Sequence, residues 1–278
     1  MAKKLGFGLL KAVMWICVLA LVAVSLYPVF WMVMNCFRSN RDIYSDILGL
    51  PRSFSAAVFV EAWNAANFGR AFYNSIYIAF FETLLIVVAS SFAAYAVTVL
   101  NVRGSRRIYS GIVALQTVSG HFILVSLFLL VKNLGLMNSL WSCILVGAAL
   151  GLPLSTMIFR GSFMAFPREV YESSVVDGCH SLRFYFSVLM PLSKSAFASV
   201  VIYEVMFAWN EYLFALTFLR SAQNRTITTA TQVFFTQWQS NWTQLFAILS
   251  LALLPILVLY IAFQKYFIAG MMAGAVKG

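Results

Sequence analysis

Apolar positions along this chain gather in six long stretches, and the shorter segments between them hold most of the charge. A helix needs about 20 mostly apolar residues to cross roughly 30 Å of hydrocarbon. It must also bond every backbone polar group internally, because lipid offers no partner. The stretches at about 12–35, 73–100, 108–131, 138–159, 195–219 and 245–264 meet that length. The second holds Glu82, the third His121, and the fifth Glu204 and Glu211. The pattern predicts an all-α membrane protein with six transmembrane helices. An even number places both termini on one side. Pro28, Pro153 and Pro255 fall inside spans and mark expected kinks. Ala89, Ser90, Ala93 and Ala94 supply small residues for close helix packing.

Composition agrees and excludes a good deal. Of the 278 residues, 62% are hydrophobic and 10% charged, with mean hydropathy +0.87. Soluble domains average about 25% charged residues, so this chain cannot clothe a compact water-facing surface. A soluble enzyme and a disordered chain are both excluded. The net charge of +10 would suggest nucleic acid in a soluble protein. In a membrane protein it reads as topology instead, because Lys and Arg concentrate on cytoplasmic loops. With the N-terminus inside, the inner segments carry Lys3, Lys4, Lys11, Arg103, Arg106, Arg107, Arg160, Arg168, Arg183, Lys194, Lys265 and Lys277, twelve of the 19 basic residues. The outer segments carry the other seven. Both termini are therefore expected to be cytoplasmic.

The start of the chain resembles a signal peptide only superficially. The uncharged run from Ala12 to Phe37 exceeds the roughly 7–15 apolar residues of a cleavable signal, so it reads as a retained span. The four cysteines, Cys17, Cys36, Cys143 and Cys179, show neither a disulfide framework nor metal-ligand spacing. Residues 1–70 form a first transmembrane helix with a long outer loop, and residues 71–278 form a five-helix core.

The inner connection at 161–194 is longer than reversing a chain requires, and long connections in compact proteins tend to be functional. Pro167 suits a first helical position and Glu169 favours the first-turn dipole. Asp177-Gly178 should stop that helix, because glycine takes the left-handed cap without steric cost. Ser181 can cap a second short helix with Leu182, Tyr185, Phe186 and Leu189 on one side, closed by Pro191. Such a helix–glycine–helix piece fits a groove on a cytoplasmic partner. Read from its residues alone, it fits an amphipathic loop lying on lipid just as well.

Spacing separates the two. From Glu172, small residues Ser173 and Ser174 follow at once, then Asp177-Gly178, then Val188-Leu189-Met190-Pro191. This resembles the Glu-Ala-Ala signature of the membrane subunits of ATP-binding-cassette importers, with serines for both alanines. Ala208-Trp209-Asn210-Glu211-Tyr212, Gln264-Lys265-Tyr266-Phe267-Ile268 and the terminal Ala273-Gly274-Ala275-Val276-Lys277-Gly278 are similar to the carbohydrate-importer branch, specifically the shorter permease of the maltose-type pair. Asn74-Ser75 and Ala93-Ala94-Tyr95-Ala96 match that branch too.

The resemblance implies a subunit that couples to a separate ATPase through Glu172, Ser173, Ser174, Asp177, Gly178 and Pro191, with Tyr171 and Phe186 as docking contacts. It implies that Gly274, Ala275, Val276, Lys277 and Gly278 reach the ATPase dimer. The implied partners are a second, non-identical permease, two cytoplasmic ATPase subunits and an extracytoplasmic solute-binding protein, all at the bacterial cytoplasmic (inner) membrane. The chain has no GxxxxGK[ST] phosphate loop. No cofactor is expected on it, no metal and no catalysis; ATP and Mg belong to the partner ATPase.

Ionisable residues inside a membrane suggest function. Glu204 and Glu211, seven apart, nearly superpose on a helix, with Tyr203 and Asn210 on the same side. They form either a polar stripe along a translocation path or hydrogen bonds between helices. Glu82 and His121, each standing alone, read as structural. Trp238 and Trp242, in the Gln- and Thr-rich segment 223–244, suit sugar stacking but more commonly anchor an interface. A secondary transporter using Glu82, Glu204 or Glu211 as an ion site is the alternative; it leaves the inner connection unexplained. A membrane-embedded enzyme has no ligand or triad cluster behind it.

Overall fold

The computed structural model describes residues 2–235 and 241–275, and its regular elements are helical. In chain order the α-helices are α1 (Ala2–Asn35), α2 (Asn40–Ser45), α3 (Ala57–Ala65), α4 (Phe68–Thr98), α5 (Ser105–Leu115), α6 (Leu124–Asn133), α7 (Leu140–Met164), α8 (Arg168–Val176), α9 (Ser181–Phe184), α10 (Met190–Leu192), α11 (Lys194–Asn210), α12 (Leu213–Phe218), α13 (Ile227–Ala230) and α14 (Trp242–Ala275). Among the described residues, α1 from Val13, α4 and α7 are each long and apolar enough to cross a membrane. Residues 181–192 and 194–210 qualify as one further span only if counted together, and they meet at 79°.

Two expected spans differ from continuous helices. The stretch at 108–131 breaks between α5 and α6, where Gln116, Thr117, Ser119 and Gly120 interrupt the apolar run. Thr117 turns its hydroxyl back onto the Ala114 carbonyl at 2.7 Å. Gly120 lies against Leu150, and a Cβ there would sit 3.0 Å from Phe214 Cζ. Close approach, more than propensity, sets that break. The stretch at 195–219 breaks after Asn210, because Glu211 turns extended (ψ 121°) and α12 starts afresh.

The chain divides into two compact units. One comprises residues 1–68 and 231–254. There Arg38, buried at the end of α1, gathers the outer loop: its guanidinium donates to Asn35 Oδ1 at 2.9 Å, to the Asp42 carbonyl at 2.7 Å and to the Asp46 carbonyl. Trp31 Nε1 donates to the Ile47 carbonyl at 2.9 Å. Ser39 caps α2 by accepting from the Asp42 amide. Its hydroxyl, ahead of Arg52 and Arg38, holds the Asp42 carboxyl below the usual carboxylate range. Trp242 donates its indole N–H to Tyr44 Oη at 2.7 Å. Trp238 lies outside the described residues.

The second unit comprises residues 69–230 and 255–278. Phe159, Phe163, Phe184, Tyr185, Leu189 and Val200 form one part of its core, joining α7, α9 and α11. Ile78, Val131, Ile144, Phe214 and Phe218 form another. Of the small residues on α4, Ser90 and Ala94 are fully buried, whereas Ala89 is exposed.

Asn138, at φ +60°, ties down the segment after α12. Its Oδ1 accepts from the amides of Arg220 and Ser221 at 3.0 and 2.9 Å, and its carbonyl accepts from Asn224 Nδ2 at 2.5 Å. Asn74 Nδ2 donates to the Gln223 and Arg225 carbonyls, both at 2.9 Å, and Ser75 Oγ accepts from the Ile227 amide. Asn138→Ala removes the one oxygen that accepts from two amides and replaces a residue that tolerates positive φ with one that does not. It is expected to cost about 1–3 kcal/mol, read as a lowered Tm of the purified protein, whereas Asn138→Asp should retain most stability.

Candidate functional site

The inner connection folds as a capped helix, a short helix and a π-helical turn. Pro167 stands at the N-cap of α8, one position earlier than expected, with extended ψ of 129°. The other end of α8 closes in a Schellman arrangement: Gly178, at φ +75°, donates to the Val175 carbonyl at 3.0 Å and Cys179 donates to Ser174 at 2.9 Å. Asp177 and Gly178 thus end the helix as their sequence implies. Ser181 differs. It is the first residue of α9, and the N-cap is His180, without a side-chain cap bond.

The expected four-residue apolar face divides. Tyr185 and Leu189 are buried, while Leu182 and Phe186 stay 62% and 53% exposed. The π-helical turn over Tyr185–Leu189 separates them by adding a residue to the ring. Pro191 falls inside α10, a single turn. Tyr171 packs edge-on against Phe184 at 5.1 Å and is half-buried. Ser173 and Ser174 turn their hydroxyls onto the Val170 and Tyr171 carbonyls at 3.1 and 2.6 Å. Glu172 is exposed and pairs with Arg168 at 3.0 Å. An exposed i,i+4 pair contributes only a few tenths of a kcal/mol, so Glu172 is easily recruited by a stronger cation. Val176, 87% exposed, completes a surface that carries the exposed carboxylates of Glu169, Glu172 and Asp177 beside several apolar side chains.

This surface is fastened to α4. Tyr185 Oη and Ser91 Oγ share a hydrogen bond of 2.7 Å, Tyr95 Oη donates to the Ser181 carbonyl at 2.9 Å, and Phe92 stacks on Tyr185 at 4.6 Å.

The intramembrane polar residues separate differently from the expected stripe. The helical register that would superpose Glu204 and Glu211 ends at Asn210. Glu211 Oε1 instead accepts from the Phe214 amide at 2.7 Å, serving as a cap for α12. Asn210 bonds back to the Met206 carbonyl at 2.7 Å. Glu204 is fully buried; its Oε1 accepts from Ser155 Oγ at 2.6 Å, and its Oε2 has no partner among the described residues.

Glu204 and Tyr203 line a cavity of about 290 Å3 together with Gln116, Ser119 and His121. His121 stacks on Phe214 at 5.6 Å, so it does not stand alone. Sequence reasoning missed this grouping; the polar break at 116–121 inside an apolar run is the signal that could have found it. Glu82 is also buried, seated over Gly147 on α7, as Glu204 and Ile86 are over Gly151. Gly274 and Ala275 close α14, whereas Val276, Lys277 and Gly278 lie outside the described residues.

Residues 86–272 match the family described as binding-protein-dependent transport system inner membrane component. The melibiose/raffinose/stachyose import permease protein MelC of Bacillus subtilis is 30% identical over 260 residues, covering 93% of this chain and 94% of that one. The inner membrane ABC transporter permease protein YcjP of Escherichia coli is 29% identical over 266 residues, covering 94% and 95%. In fold, the chain matches the crystal structure of a bacterial ABC transporter involved in the import of the acidic polysaccharide alginate, with TM-score 0.77 and 21% identity, covering 94% of this chain and 96% of that one. The chain belongs to the family of inner-membrane components of binding-protein-dependent transport systems.

Proposed function

We propose that this chain is one of two non-identical permease subunits of an ATP-driven carbohydrate importer, forming half of an alternating-access path. The observation that carries the reading is the family match over 86–272 enclosing the exposed, glycine-capped connection at 161–194. Relatives named for oligosaccharide import support the substrate class, among them the arabinooligosaccharide permease AraQ of Bacillus subtilis, 27% identical over 257 residues. Six crossings follow if the broken segments at 105–133 and 194–218 and the helix α14 each cross once, and the distribution of basic residues then makes both termini cytoplasmic.

In this reading Glu172, Ser173, Ser174, Asp177, Gly178, Phe186 and Pro191 meet an ATPase subunit, with Tyr171 holding the loop from behind. The tail from Gly274 to Gly278 reaches the ATPase dimer. Two ATPase subunits supply ATP and Mg chemistry, and an extracytoplasmic binding protein delivers solute. Tyr203 and the Glu204 cavity face the path, where carboxylate, imidazole and amide groups can exchange water for sugar hydroxyls; Asn210 and Glu211 sit at the helix break above them. An ion-gradient carrier using Glu82, Glu204 or Glu211 is the weaker reading, because the family match and the oligosaccharide-import relatives support an ATP-driven importer.

The test is uptake into proteoliposomes holding the chain with its genomic neighbours for partner permease, ATPase and binding protein. Uptake of labelled oligosaccharide should require ATP on the ATPase side and the binding protein opposite. Glu172→Lys should abolish both uptake and ATPase co-purification. Uptake driven by an ion gradient without ATP, or unchanged co-purification, would overturn the assignment.

A further inference from the structure

A cavity of about 500 Å3 in the second unit lies away from the Glu204 site. That volume is within the range of small-molecule sites. Arg106, Arg160 and Arg168 all line it, and no aspartate or glutamate does. Arg168 is held by Glu172. Arg160 lies over the Tyr109 ring at 3.9 Å, which leaves its in-plane N–H donors available. No acidic side chain pairs with Arg106 or Arg160 among the described residues.

Two helix starts open on the same space. Ser105 and Arg106 begin α5 after Gly104 at φ +82°, and Pro167 and Arg168 begin α8; neither start has a side-chain cap. The positive end of each helix dipole therefore reinforces the arginines. The rest of the lining mixes apolar side chains, Phe163 and Phe184 among them, with the polar groups of Thr98, Asn101, Ser105, Tyr109 and Tyr171. The cavity also sits where two long apolar helices stop, since Thr98 ends α4 and Met164 ends α7, and both line it. The apolar stretches expected to span, at 73–100 and 138–159, end within a few residues of these positions, which puts the cavity on the headgroup side of the spans.

We infer that this cavity binds a phosphate-bearing anion, with Arg106 and Arg160 as its cationic ligands, and that the phosphodiester of an anionic glycerophospholipid is the source it fits best. Arginines give planar, bidentate donors for phosphate oxygens. The aromatic and aliphatic wall accommodates the first carbons of acyl chains. Basic pockets between membrane helices select lipid headgroups by this chemistry. The inference concerns lipid binding by the chain and stands apart from what the transporter carries.

The experiment uses the full chain purified in mild nonionic detergent, titrated with phosphatidylglycerol or with phosphatidylcholine of the same acyl chains. Retained lipid is read by native mass spectrometry. Phosphatidylglycerol should be retained and phosphatidylcholine not. Arg106→Gln with Arg160→Gln should weaken retention about fivefold for each arginine. Arg103→Gln with Arg107→Gln removes the same charge outside the cavity and should change retention little. Arg106 is exposed, so Arg106→Gln alone gives the same reading if the pair fails to fold. Displacement of the lipid by glycerol phosphate would assign recognition to the phosphate itself, and persistence would assign it to the whole lipid. Equal retention of both lipids, or equal losses in both variant pairs, would overturn the inference. Because no ATP or solute enters the assay, its failure leaves the transport reading untouched.

Discussion

Gly147→Val is expected to prevent accumulation of folded protein, and Glu82→Ala in the same chain is expected to restore it. A Cβ at position 147 would fall 2.5 Å from Glu82 Oε2 and closer still to Oε1 and Cδ. Glu82 is only 3% exposed, so its carboxyl group has no open solvent to retreat into and must displace packed neighbours. Overpacking of this kind typically costs about 1–3 kcal/mol, and a buried polar group deprived of its seat adds a comparable amount. Shortening Glu82 removes the obstruction and the displaced carboxyl together. The two substitutions should then show strong non-additive coupling. Fluorescence-detected size exclusion and thermal melts of the four proteins measure it. Additive losses would mean that Gly147 serves some other contact.

The second large effect is expected at Gly178. Its φ of +75° ends α8 and sends the chain toward α9. A β-branched residue there carries about 1–3 kcal/mol of backbone strain, which the chain can relieve by unwinding the cap. Gly178→Val should therefore leave the protein in the membrane with an unchanged core but lower ATP-driven uptake roughly tenfold or more, the factor that about 1.4 kcal/mol commands. Gly178→Asn, which tolerates the left-handed region, should keep most uptake. Equal uptake by the Val and Asn variants would detach the cap from transport.

What the amino-acid sequence reveals follows the range of the interaction. The stop at Asp177-Gly178 is legible because a left-handed cap is decided within a few residues. Long apolar helices such as α4 and α7 are legible because solvent selects them by length. The break after Asn210 is not, because Glu211 leaves the helix to meet the Phe214 amide, a choice made by how α12 packs. The seating of Glu82 over Gly147, and of Glu204 over Gly151, joins residues far apart in the chain that no local pattern links. His121 stands alone among the ionisable residues of its stretch for the same reason: the ring it stacks on, Phe214, lies on a different helix. In the inner connection, spacing identified the helix and its end. The π-helical turn at Tyr185–Leu189 then decided which aromatic is buried and which is offered outward.

The two hydroxyl anchors on α4 have a mechanical consequence. Ser91 and Tyr95 are four residues apart, so their grips on Tyr185 and Ser181 are separated by about 6 Å along the helix axis. A single attachment would act as a swivel and let a push be lost in rotation. Two attachments one turn apart resist pivoting and transmit torque. Any force on the exposed face of Leu182 and Phe186 is therefore delivered to the end of α4 as a lever stroke of fixed orientation, with the helix as its arm.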